Sequence, residues 1–466
     1  MGVLLLNKEI REVNGMDEPT VEASRLAEHI GERSARGIAS ALTDLIRRGD
    51  IAEGTRLPTV RGLAAELGVS PATVADAWAT LRRHRVVSTQ RRRGTVVIGP
   101  PSVPHPARYE RIGDFGSRPS IDLAIAAPDP ALLPPLGRAL AAAARTERLN
   151  DYARETITAR LREAVEPGWP FAAEGWLVVG GGYEGVQLVC QTIALPGDRI
   201  AVEDPTGARL LDIFEALGAE PIPVACDRDG PVPSALARAL EANPAAFVYQ
   251  PRGHTPCGHA LTPARAAELA ALLAPAGTLA VEDDGIGEVS TAPAVSVGEH
   301  LPGRTVLVRS YSKSHGPDLR IAVLGGAGEA VEKVRVLRSF GTGWTSRILQ
   351  DALADLLGDP AAERAVALAR ETYARRRDGL AAALAERGVP TANRDGLALW
   401  VPVADESEAL VTLAAHGVAA APGSRYQIIA SPPHLRIATS RLPEDPARRA
   451  EIAEVIALAA APPRPR

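Results

Sequence analysis

Residues 305–320 read TVLVRSYSKSHGPDLR. The opening run, TVLVRS, ends like a strand at Ser310, and Lys313 follows between two serines with Arg320 seven positions on. A lysine at a strand-to-loop transition can be stripped of water. Its pKa then falls and its amine becomes a nucleophile, a task arginine cannot perform. Such an amine forms Schiff bases with aldehydes. The surrounding region supplies most of its positive charge as arginine, so this lysine stands out. Ser310 and Ser312 offer hydroxyls and Arg320 a fixed cation, a set that suits a phosphate group.

Two stretches upstream extend the pattern. TLAVEDDG, residues 278–285, ends a strand with Asp283, a carboxylate placed to pair with a protonated ring nitrogen. VVGGGYEGVQLVC, residues 178–190, joins a strand to a helix through Gly180, Gly181 and Gly182. Backbone amides at such a helix start bind phosphate. A Schiff-base lysine, an acidic partner for a pyridine nitrogen and a phosphate cup are the parts that pyridoxal phosphate requires. Around them, short apolar strands (WLVVGG, RIAVEDP, AEPIPVA, AAFVYQP) alternate with Ala/Leu-rich helices such as PARAAELAALLAP. That alternation predicts an α/β fold with a mainly parallel sheet.

The first part of the chain has another character. Residues 21–98 are rich in arginine and in helical periodicity. Thr59 is placed to cap a short helix, VRGLAAELG, which Gly68 ends in a left-handed turn. Ser70 caps the next helix, with Pro71 at its first position. Helix, glycine turn and helix predict a helix-turn-helix. VVSTQRRRGTVVIG then predicts a hairpin with a basic tip, Arg91, Arg92 and Arg93. In a DNA complex, Ser70, Ala72 and Thr73 would enter the major groove. Arg61 and the tip arginines would neutralise phosphates of double-stranded DNA or probe the minor groove.

The chain of 466 residues is 46% hydrophobic, long enough for more than one domain, and its net charge of −4 hides the local basic patch. Cys190, Cys226 and Cys257 have no metal-ligand spacing and fit a reducing compartment. MGVLLLNKEIREV has too short an apolar run for a signal peptide, so the expected location is the cytoplasm. The expected division is a tail at 1–20, with Met16 as a second candidate start, a winged helix-turn-helix at 21–98, a Pro/Gly-punctuated linker at 99–119 and the large domain at 120–466. Within the large domain, a small C-terminal α+β subdomain begins near residue 365.

GTRLPTVRGLAAELGVSPATVADAWATL resembles the winged helix-turn-helix of GntR-type bacterial regulators, although Pro71 stands where many of them carry a DNA-gripping arginine. GGGYEGVQLVCQTIALPGDRIAVEDP, QPRGHTPCGHALTPARAAELAALL, AVEDD, SYSKSHGPDLRIA and PHLRIATS resemble fold type I aminotransferases from Asp122 to the last helix. The combination is similar to the MocR subfamily, regulators that sense a ligand through a cofactor and report it to DNA.

The resemblance implies pyridoxal phosphate on Lys313, with Asp283 on its ring nitrogen. Ser310, Ser312, Arg320 and the amides of Tyr183 and Glu184 would hold the phosphate. Tyr152 would reach the phosphate of a partner subunit in a head-to-tail homodimer, and Arg436 would grip the carboxylate of an amine or amino-acid effector. His254 or Thr255 falls at the usual amide position; a histidine there would stack on the ring, bond its phenolic oxygen, or be a loop histidine with no role. Relatives often place tyrosines where this chain has Gly207 and Gly285, and the freed space suits a larger ligand. These changes favour a sensor over an enzyme. The alternatives are an aminotransferase with an accessory DNA-binding domain, and a regulator that has lost the cofactor.

Overall fold

A computed structural model describes residues 19–83, 86–90, 94–99, 106–110, 121–146 and 149–461. Arg91, Arg92 and Arg93 lie outside the described residues, as does most of the expected tail and linker. The chain divides into two units, Met1–His105 and Pro106–Arg466.

The first unit holds helices α1 (Ala23–Glu28), α2 (Ala35–Arg47), α3 (Val60–Leu67) and α4 (Pro71–Arg83), followed by strands β1 (Val87–Gln90) and β2 (Gly94–Val97). The Thr59 side chain accepts from Gly62 N at 3.1 Å and so starts α3. Gly68 ends α3 at φ +66°, a conformation that a side chain would strain. Ser70 Oγ accepts from Thr73 N at 3.1 Å and so starts α4. Val74, Ala77, Trp78 and Leu81 recur at helical spacing along α4, and all are buried against Ile38, Leu42, Leu63 and Leu67. β1 and β2 pair antiparallel from Val87↔Val97 to Gln90↔Gly94, which makes the wing.

The second unit is built on an eight-stranded sheet: β3 (Gly175–Val179), β4 (Arg199–Asp204), β5 (Glu220–Asp227), β6 (Gly230–Pro231), β7 (Ala246–Tyr249), β8 (Leu279–Asp284), β9 (Thr305–Ser310) and β10 (Ala322–Gly326). The spatial order is β3-β10-β9-β8-β7-β4-β5-β6. Pairing from β9 through β8, β7 and β4 to β5 is parallel. β10 runs antiparallel between β9 and β3, and short β6 is antiparallel to β5. Every residue of β7 and β9 is buried, as expected for parallel strands covered on both faces. The carboxyl ends of β8 and β9 place Asp283 and Ser310 at one rim of the sheet. The amino end of helix α5 (Gly182–Ile193) and the turn before helix α6 (Ala208–Leu217) complete that rim.

A long helix, α7 (Pro360–Ala385), leads into a smaller antiparallel sheet of β11 (Ala398–Pro402), β12 (Ala421–Pro422) and β13 (His434–Ala438), packed with helix α8 (Pro446–Ala460). Leu123, from the start of the unit, is buried in the same core. Inside the stretch expected as linker, Ala107–Glu110 is a helical turn. Arg108 there pairs with Asp212 at 3.2 Å and with Glu215 at 2.8 Å on α6.

Candidate functional site

A cavity of about 560 Å³ opens at the rim, lined among others by Tyr183, Glu184, Asp283, Ser310, Ser312, Lys313, Arg320 and Arg436. Lys313 follows β9, and its Nζ donates to the Ala126 carbonyl. Burial, and then the positive charges of Arg436 and Arg441, push its amine down to about 8. At pH 7 that leaves about a tenth of the amine unprotonated, instead of a few parts in ten thousand for an ordinary lysine.

EDD supplies two aspartates with opposite fates. Asp284 is clamped by Arg252 at 2.9 and 2.8 Å and by Arg309 at 2.8 Å. Burial would raise its pKa, but the two guanidinium groups overcome that and hold it down to about 2. Asp283 faces the cavity with no cation bonded to it among the described residues. Burial raises its pKa to about 6, so it is ionised at neutral pH and available to a cation. Gln250 Nε2 donates to Asp283 Oδ2 at 2.9 Å, and Gln250 Oε1 accepts from Thr255 N at 2.7 Å. Gln250 thus fixes one oxygen of Asp283. A Cβ added at Gly182 would lie 3.6 Å from the other oxygen, Oδ1, at the helix start.

The phosphate cup is built from backbone. The first intrahelical bond of α5 is Gly185 N to Gly181 O at 3.1 Å, so the amides of Gly182, Tyr183 and Glu184 precede it. The Glu184 carboxylate turns back to accept from Gly180 N. A Cβ added at Gly181 would meet the Arg320 guanidinium at 3.2 Å, and one at Gly182 would meet Ser310 Cβ at 3.3 Å. Glycine therefore keeps this cradle clear for a ligand. Arg436 is buried against Tyr426 and donates to the Ala124 carbonyl at 3.1 Å, while its buried Nε has no partner. An amine, a carboxylate with no cation on it, the free N–H groups of a helix start and the guanidinium groups of Arg320 and Arg436 fit pyridoxal phosphate. When bound, that group supplies an aldehyde for amines and an electron-withdrawing ring. Lys313 would take the aldehyde, Asp283 the ring nitrogen, and the α5 amides with Ser310 and Arg320 the phosphate.

Some expected residues lie elsewhere. His254 does not line this cavity; Thr255 does. The His254 ring is buried and stacks on His259, with centroids 3.9 Å apart and planes 12° apart. Burial, and then His259, push its pKa well down. Both rings turn their Nε2 toward Glu203, at 3.4 Å for His254 and 2.8 Å for His259. Glu203 also accepts from Gln250 N at 2.7 Å. The ligand atoms of Glu203, His254 and His259 lie within 4.8 Å of one another. Stacked rings, however, cannot both place one ion in plane; Glu203 is hydrogen-bonded by His259, while His254 Nε2 lies near it without a hydrogen bond. Tyr152 is 86% exposed, lies edge-to-face on Trp344 at 5.9 Å and is outside its own chain's cavity. Gly207 and Gly285 both line the cavity; a Cβ at Gly207 would lie 3.3 Å from Tyr183 Oη, and one at Gly285 would lie 3.3 Å from Asp283 Oδ1. Sequence reasoning missed Gln250, Arg209, Tyr426 and Arg441. Gln250 and Arg441 lie at the edges of segments that carry the family resemblance, Arg209 stands in the first turn of α6 and Tyr426 ends a short 3-10 turn; their residue types alone carry no cofactor signal.

In the DNA-reading unit, Arg61, Ser70 and Ala72 are exposed and Thr73 is half-buried. The hydroxyls of Ser70 and Thr73 are 2.9 Å apart, so part of their bonding capacity is spent on the cap.

Comparison with known proteins agrees with this division. The family model for aminotransferase class I and II matches residues 119–451, and that for bacterial regulatory proteins of the gntR family matches residues 34–97. The vitamin B6 salvage pathway transcriptional repressor PtsJ of Salmonella typhimurium is 32% identical over 420 residues, covering 89% of this chain and 96% of that protein. The HTH-type pyridoxine biosynthesis transcriptional regulator PdxR of Corynebacterium glutamicum is 28% identical, covering 77% of this chain and 78% of that protein. Among solved structures, the kynurenine aminotransferase of Pyrococcus horikoshii shares the fold, with a TM-score of 0.67 at 20% identity over 74% of this chain and 91% of its own.

A winged helix-turn-helix joined to an aminotransferase fold defines a class of DNA-binding regulator with a cofactor domain. The chain belongs to the MocR-type GntR transcriptional regulators, with a class I and II aminotransferase domain whose cofactor is pyridoxal phosphate. No helix among the described residues is long and apolar enough to cross a membrane.

One consequence of the lowered Lys313 pKa is kinetic. The rate at which added pyridoxal phosphate is captured, followed by visible absorbance, is expected to rise about tenfold from pH 7 to pH 9 and then level off. The sign follows from the amine, which reacts only when unprotonated and loses its proton near 8, well below the usual lysine value. A rate flat across this range would contradict the assignment.

Proposed function

We propose that this chain reads the supply of pyridoxal phosphate and adjusts transcription accordingly, with Lys313 as the capturing amine. The observation that carries this reading is the meeting of an activated amine, a carboxylate and the unpaired amides of a helix start in one cavity. The printed functions of PtsJ and PdxR, both tied to vitamin B6, favour the cofactor itself as the signal. Asp283 would hold the ring; Ser310, Ser312, Arg320 and the Tyr183 and Glu184 amides would hold the phosphate. Closure around the ligand shifts a two-state protein only through its different affinity for the two states. A second reading rests on Arg436, a guanidinium lining the same cavity as Lys313 and suited to the carboxylate of an amino-acid effector.

The working form in this reading is a cytoplasmic head-to-tail homodimer, with the exposed Tyr152 completing the partner's phosphate site. DNA contact falls to Ser70, Ala72 and Thr73 at the start of α4, to Arg61 and to the tip arginines. Arg61→Ala is expected to weaken binding to the chain's own upstream DNA similarly across sequences and to reduce the salt slope by about 1. Mixing the loaded protein with amino acids and oxo acids separates sensor from enzyme. The sensor reading expects a spectral change that stops after at most one equivalent of product, and sustained turnover would sink it.

A further inference from the structure

We propose that Tyr183 replaces the side chain missing at position 207: its phenol forms the cavity wall beside the bound cofactor ring and sets what fits there. This rests on the pyridoxal phosphate reading of the cavity. Gly207 precedes α6, and a first side-chain carbon there would lie 3.3 Å from Tyr183 Oη and 3.9 Å from Leu210. The place a residue-207 side chain would fill is therefore taken by a hydroxyl from another element.

The phenol is held there. Tyr183 stands in the first turn of α5, and the Arg209 guanidinium covers one face of its ring at 5.2 Å. Tyr183 lines the same cavity as Lys313, Asp283 and Arg436. Its charged and titratable neighbours are Asp283, Tyr426, Arg209 and Arg436, and burial keeps the hydroxyl protonated as a donor. The α5 backbone would offer its amides to the phosphate, and the ring on the same turn would lie beside the rest of the ligand. One turn of helix would thus grip the cofactor at two points. The swap also explains how Gly207 is tolerated, because a tyrosine at both 183 and 207 would compete for one space.

The test uses the full chain and pyridoxal phosphate, with affinity read from the visible band and folding from circular dichroism. Tyr183→Ala is expected to weaken affinity about tenfold. Adding Gly207→Tyr to that variant is expected to restore it to within about threefold, whereas Gly207→Tyr in the wild-type background weakens it. Should Tyr183→Ala fail to fold, Gly207→Ala serves: it should weaken affinity beside the native hydroxyl and have no effect when combined with Tyr183→Phe. Wild-type affinity in Tyr183→Ala, no rescue by the second substitution, or equal effects of Gly207→Ala in both backgrounds would each overturn the proposal. A wild type without any band would overturn the cofactor reading and this proposal together; the other outcomes leave the cofactor reading standing.

Discussion

Lys313→Ala is expected to abolish the visible band that added pyridoxal phosphate gives with the full chain and to weaken retention of the cofactor about a hundredfold or more, a loss of roughly 3 kcal/mol. The effect should be large because, among the described residues lining the cavity, the Lys313 amine is the one group able to form a Schiff base with the aldehyde. Asp283, Arg320 and the α5 amides would remain, so residual binding without the band is the expected phenotype. Lys333→Ala is the control, since that side chain is exposed and paired with Glu329 at 2.8 Å. A band that survives Lys313→Ala would place the link elsewhere.

Trp78→Ala should act on the other half. Trp78 is 1% exposed at the centre of the first unit's core, against Leu42, Leu63 and Leu81. Removing a buried indole costs about 3–5 kcal/mol through lost burial and the cavity left behind. A unit of this size has little more stability than that to lose. DNA binding should fall below detection near 37 °C, while the pyridoxal phosphate band stays at wild-type strength. DNA affinity within about twofold of wild type would contradict the core described for this unit.

Local chemistry made much of this legible in the sequence. Thr59, Gly68 and Ser70 mark helix ends by mechanisms that act over three or four residues, and the helices begin and end there. The strand ends that carry Asp283 and Ser310 were equally readable, because buried parallel strands leave continuous apolar runs. What the pattern does not carry is order and direction. β10 reads like its neighbours, yet it is inserted antiparallel between β9 and β3.

The site was less legible wherever side chains from distant segments compete for one space. His254 and Thr255 are adjacent, and only the loop geometry decides that Thr255 meets the cavity while His254 turns to Glu203. Gly207 reads as an opening, and only the fold brings the Tyr183 hydroxyl to 3.3 Å from where its first side-chain carbon would lie. Gln250 opens a segment the sequence singled out, but its bond to Asp283 depends on β7 and β8 lying side by side.

The central claim is that the cavity at Lys313 controls the DNA-reading head. The direct measurement is the affinity of the full chain for its own upstream DNA at fixed salt, with and without saturating pyridoxal phosphate, in the wild type and in Lys313→Ala. The account predicts a shift of at least about fivefold in the wild type, the lower end of ordinary allosteric coupling, and none in Lys313→Ala. Equal affinities with and without the cofactor in the wild type, or an undiminished shift in Lys313→Ala, would contradict it.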